Sequence, residues 1–163
     1  MASRASIRRH PIHPMLVVFP IGLWVFSFVC DIVALNRPEN SVFWNDMAFY
    51  TMAAGVIGAL LAAIPGYIDY HGLIEPRVKR IATTHFVLNL VVVILYVFNL
   101  GFRLNQPVET KSSAILISAI AIVLLAISGW LGGSMVYVHG VAVERGSTES
   151  DSRDQTGRRD RAA

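Results

Sequence analysis

Four runs of about twenty apolar residues, separated by short polar loops, leave this chain of 163 residues few folds to choose from. A helix needs about 20 largely apolar residues to cross the hydrocarbon core of a bilayer. Residues 15–35, 47–68, 81–102 and 114–138 each meet that length. The last run holds twelve Ile, Leu or Val residues, which at roughly −0.4 kcal/mol each contribute on the order of −5 kcal/mol to insertion before any polar cost. A buried helix of a soluble protein could look like this once, but not four times in so short a chain. A β-barrel fails on period, because the runs are continuous rather than alternating. The fold class expected is all-α: an integral membrane four-helix bundle running up-down-up-down.

Composition agrees. The chain is 54% hydrophobic and 15% charged, against about 25% charged in an ordinary soluble domain. Nothing outside the apolar runs is long enough for a second core, which excludes a soluble multi-domain enzyme. The single cysteine, Cys30, excludes a disulfide within one chain and a Cys-rich metal site. The net charge of +3 does not point to nucleic acid, since the basic residues flank apolar runs and form no aromatic-interleaved patch. There is no Walker loop, no Cys-x-x-Cys and no Gly-x-Ser-x-Gly turn, so no catalytic residue is assigned.

Lys and Arg fall unevenly about the runs. Eleven lie in the termini and the 67–84 loop, and three (Arg37, Arg103, Lys111) in the opposite loops. Cytoplasmic segments are enriched in both residues, so both termini are expected in the cytoplasm and the protein in the cytoplasmic membrane. The organisation expected is a His- and Arg-bearing lead-in over 1–14, the four-helix domain over 15–138, and a cytoplasmic end with a disordered polar tail over 139–163. Arg4, Arg8 and Arg9 ahead of an apolar run resemble a signal peptide, but no small-x-small site follows, and the run reads as a retained first span. In the second run Gly55, Ala59 and Ala63 recur every four residues, which predicts close helix packing there.

The same topology sends all five histidines to one end. His10 and His13 precede the first run, His71 follows the second, His85 opens the third and His139 closes the fourth. The two halves also read as a weak repeat, with His13 matched to His85 and His71 to His139. Imidazoles converging from facing helices could hold haem iron or a transition metal, each with its other ring N–H held by Asp69, Asn89 or a backbone carbonyl. Two imidazoles suit haem b; His13, His71, His85 and His139 together would suit Zn, Cu or Fe. The competing reading is an unliganded polar cluster at the membrane edge. Asp31 lies inside the first run, where an ionised group needs a partner; Asn99 and Arg103 are the candidates at matching depth. Asp69 could orient a histidine or pair with Arg77, Lys79 or Arg80. Asn89 and Asn99 are expected to bond between helices.

Certain motifs carry a resemblance: His10-Pro-x-His-Pro-Met15 into Phe19-Pro20-Ile21-Gly22-Leu23, Asp31, Gly66-x-x-Asp69, Arg80 with His85 and Asn89, Gly129-Trp-Leu-Gly132-Gly133, and Val136-Tyr137-x-His139-Gly140. Over about residues 8 to 143 the chain resembles the bacterial four-helix membrane proteins catalogued as domain of unknown function twenty-two thirty-one. The resemblance implies an integral membrane protein, found elsewhere fused to redox domains, with no established activity. It favours His13, His85 and His139 as cofactor ligands over His71. The family commonly has an acidic residue after the paired glycines, where this chain has Ser134.

The function expected is therefore a haem b- or metal-binding redox module of the membrane, with a redox partner or a second copy as its associate. The alternatives are a small proton, ion or solute transporter using Asp31, Asp69, Asn89 and Asn99 with the histidines, or a structural, partner-binding membrane subunit.

Overall fold

The computed structural model describes residues 3–104 and 112–143. The expected tail from 144 onward and the centre of the last loop lie outside the described residues. An antiparallel hairpin, β1 (Ser6–Ile7) with β2 (His10–Pro11), leads into α1 (Ile12–Leu16) and α2 (Val18–Asn36). Pro20 explains the break between these two helices, since it has no N–H to offer the Leu16 carbonyl. A 3₁₀ turn (Pro38–Asn40) then opens α3 (Ser41–His71), followed by α4 (Pro76–Leu104) and α5 (Ser112–Tyr137). Four helical stretches, Ile12–Asn36, Pro38–His71, Pro76–Leu104 and Ser112–Tyr137, are long and apolar enough to cross a membrane.

All four helical stretches begin before their apolar runs, the second and third by the most. Hydropathy marks only the part of a helix that lipid covers, whereas capping marks where the helix starts. α4 starts at Pro76, a residue suited to the first helical position. The Glu75 carboxylate accepts from the N–H groups of Arg77 (3.0 Å) and Val78 (2.7 Å), satisfying two donors that the helix cannot. α3, with 31 residues, is roughly 46 Å long, longer than the hydrocarbon is thick. It continues through Pro65 to His71.

The bundle runs up-down-up-down. α2 packs on α3, α3 on α4, α4 on α5, and α5 returns to α2. α2 and α4 run parallel at opposite corners and meet through long side chains at the centre. Trp24 and Tyr96 stack there, ring centres 4.4 Å apart, within a core that includes Met52, Val56, Val92, Ala121 and Leu125. Gly55 makes room for the indole: a Cβ at that position would lie 2.5 Å from Trp24 Nε1. The row of small residues in α3 therefore does pack closely. It runs through Gly55 and Ala62, which are buried, while Ala63 is exposed. Around this core, large apolar side chains such as Phe19, Leu60, Phe98 and Trp130 point outward. In water such a surface would aggregate; it is the outer face of an integral membrane protein.

Candidate functional site

His13 stands in the first turn of α1, between Pro11 and Pro14, and its ring reaches α3. Nδ1 lies 2.8 Å from the carbonyl oxygen of Ala62. One turn further along α3 is Gly66, where a Cβ would approach His13 Nδ1 to 2.7 Å, so no other residue leaves the ring its place. The second half repeats the arrangement. His85, near the start of α4, sets Nδ1 2.8 Å from the Ser128 carbonyl oxygen on α5, and one turn on, a Cβ at Gly132 would lie 3.2 Å from His85 Cε1. A carbonyl only accepts, so each Nδ1 carries the proton and each Nε2 is left with its lone pair.

The two rings lie beside each other, centres 6.4 Å apart and planes perpendicular. Asn89, one turn after His85, places its amide nitrogen 2.7 Å from Ser128 Oγ, 2.8 Å from the His85 carbonyl oxygen and 3.1 Å from His85 Nε2. An amide has two N–H bonds for these three acceptors. The Asn89 amide so ties α4 to α5 and lies against His85 Nε2.

The other histidines stand apart from this pair. His10 Nδ1 lies 2.9 Å from the Arg8 carbonyl oxygen in the hairpin. His71 is exposed at the end of α3 with its ring edge-on to Tyr67. His139, past the end of α5, lies near enough to Glu75 for its charge to act on that carboxylate. Among the described residues, no three His, Cys, Asp or Glu side chains gather closely enough to hold a metal ion.

Asp69 is held by the amino-terminal stretch. It accepts from Ser3 Oγ (2.8 and 2.9 Å) and from the Ala5 N–H (2.9 Å), tying the amino-terminal stretch across the bundle end. At the opposite end, Asp31 is fully buried and bound two-pronged by Arg103, whose Nη1 and Nη2 donate to its two oxygens at 2.8 and 2.7 Å. Arg103 Nε donates to Asn99 Oδ1, and the Asn99 amide donates to Ser118 Oγ and the Ala114 carbonyl. Asn89 and Asn99 thus both bond between helices, as membrane packing suggested. Sequence reasoning missed Ser128, which leaves no trace among the other serines of its run, and the packing role of Gly66 and Gly132. Both glycines sit in motifs that could have been read as places where a ring approaches a helix.

With the geometry in place, comparison with known proteins gives one match. Residues 9–145 fit the family described as "Predicted membrane protein (DUF2231)". The chain belongs to this family. For this DUF2231 protein, no curated protein and no solved structure gives a match.

Proposed function

We propose that this protein is a redox module of the bacterial cytoplasmic membrane that holds one haem b iron between His13 and His85, with both termini in the cytoplasm. The observation that carries the reading is the matched pair of imidazoles. Each has Nδ1–H fixed by a main-chain carbonyl, the arrangement that orients a histidine ligand and raises its basicity, and His85 Nε2 would exchange the Asn89 amide for the iron. The two ring centres are 6.4 Å apart, close enough for both imidazoles to reach one group that would be held between them.

Haem is favoured over a bare ion by the count of ligands. A bare transition metal needs about four donors from the protein, whereas a porphyrin brings four nitrogens and asks for two axial ligands. The iron would supply one-electron chemistry; this chain would hold it, orient it through the two carbonyls, and keep water out with the surrounding helices. His139 and His71 enter only in the bare-metal alternative. The positive-inside distribution of Lys and Arg supports the orientation. In that orientation the pair would lie near the cytoplasmic surface, within reach of a soluble redox partner.

The test is purification in mild detergent from cells supplied with haem, followed by reduced-minus-oxidised spectra and metal analysis. A Soret band that vanishes in His13→Ala and His85→Ala but survives in His71→Ala is expected. Protein with no Soret band and no bound transition metal would leave the pair a structural feature and overturn the proposal.

A further inference from the structure

Three pairs of side chains meet across the bundle centre: His13 with His85, Trp24 with Tyr96, and Asp31 with Arg103. In every pair the partners are 72 residues apart in sequence. The carbonyls facing these residues keep a second constant interval. His13 and His85 bond the carbonyls of Ala62 and Ser128, and Ser27 and Asn99, themselves 72 apart, bond those of Ala48 and Ala114; both carbonyl pairs are 66 apart. Gly66 and Gly132, which give the imidazoles their room, obey the same interval.

Contacts that repeat at fixed intervals, with equivalent positions touching each other, are the signature of a two-fold axis. We infer that the chain is one two-helix unit present twice in tandem, the two halves related by a two-fold axis along the bundle, and that this axis builds the site at the histidine end. Gly66 and Gly132 are its positioning residues, each setting the imidazole of its own half. A ligand there sits on the axis and meets both halves alike, as a metal ion or a planar macrocycle can. This last clause rests on the haem reading; the symmetry and the roles of the glycines do not. The intervals also refine the repeat read from sequence. His13 and His85 correspond, but the interval of 66 sets His71 opposite Tyr137, two residues short of His139.

The halves are not identical, and two of the differences fall on side chains that meet at the axis. A residue on a two-fold axis faces its own copy, so a carboxylate there would face a carboxylate. Asp31 instead faces Arg103, and Trp24 faces Tyr96, arrangements that two identical chains could not make.

Spin labels on the lipid-facing surface test the symmetry without disturbing the core. Val25 corresponds to Val97, and Ile57 to Val123; all four are exposed. In a Cys30→Ser background of the full chain, label pairs at 25/57 and 97/123 should give the same distance by pulsed electron resonance. So should pairs at 25/123 and 97/57. Unequal distances in either comparison overturn the two-fold relation.

The positioning role is read separately, by nitrogen-15 resonances of the imidazoles in haem-free protein. Gly66→Ala should shift the His13 Nδ1 resonance and leave His85 unmoved. Gly132→Ala should do the reverse, more weakly, since its Cβ approaches less closely. A variant that moves neither ring, or both equally, refutes the assignment. Both measurements decide whether or not the protein ever binds haem.

Discussion

Asp31 and Arg103, from opposite corners of the bundle, close its end away from the histidines with two parallel hydrogen bonds of 2.8 and 2.7 Å. Neither charge is replaceable alone. Removing one partner of a buried ion pair leaves an uncompensated charge and costs about 3–5 kcal/mol, whereas removing both with apolar groups of similar size costs little. Arg103→Met is therefore expected to lower the thermal midpoint in detergent sharply, and Asp31→Leu with Arg103→Met to recover most of the loss. A double variant as unstable as the single one would contradict this account.

Gly55 and Gly101 make a matched pair of tests for close packing. An added Cβ at Gly55 meets the Trp24 ring, while at Gly101 it meets nothing within 4 Å. Gly55→Ala should cost about 1–3 kcal/mol, the usual penalty of overpacking, and should disturb the near-ultraviolet circular dichroism of the Trp24–Tyr96 stack. Gly101→Ala should leave both the midpoint and the spectrum close to those of the parent.

Tyr96 is fully buried, and its hydroxyl finds no hydrogen-bond partner among the described residues. Leaving a buried polar group unsatisfied costs about 1–3 kcal/mol. Tyr96→Phe keeps the ring on Trp24 and removes that penalty, so an unchanged or higher thermal midpoint is expected. A drop of several degrees would show that the hydroxyl is bonded in solution.

Glu75 carries the clearest pH signature outside the membrane. The N–H groups of Arg77 and then Val78 hold its carboxyl below the usual carboxylate range, with smaller help from the charges of His139 and Arg77 against desolvation. A carboxyl whose folded value is depressed stabilises the fold fully above its unfolded value, and that support is lost as pH falls through the folded one. The α4 start should thus be firm at neutral pH and fray in acid. The protection of the Arg77 and Val78 amides against hydrogen exchange, taken relative to the intrinsic rate at each pH, should fall as the Glu75 carboxyl is protonated, and in Glu75→Ala it should be low at every pH. Protection that ignores both acid and the substitution would rule out the cap.

The fold could be read from the sequence because lipid makes one demand, an apolar length, and that demand is written residue by residue in the four runs. Arg103 could be named as a partner of Asp31 because a charge in lipid must find one at its own depth. The helix starts were harder. Asn45 and Asp46 hid the beginning of α3, since hydropathy falls at the membrane surface where the helix does not end, and the Glu75 cap extended α4 past its apolar run. The bonds of Asp69 to Ser3 and Ala5 could not be read, because the hairpin folds back over the bundle end, a contact spanning 64 to 66 residues that no local pattern announces. His13 and His85 were both marked, but the main-chain carbonyls that set their rings have no side-chain signature at all.

The pairing of Asp31 with a residue made 72 positions later also has a meaning in time. A ribosome adding about 5–20 residues per second needs roughly 4 to 14 seconds to bring Arg103 out after Asp31. During that interval the first span carries Asp31 without the guanidinium that closes this end of the finished bundle. The contact that closes this end of the bundle therefore waits on the third span, however early the first has been made.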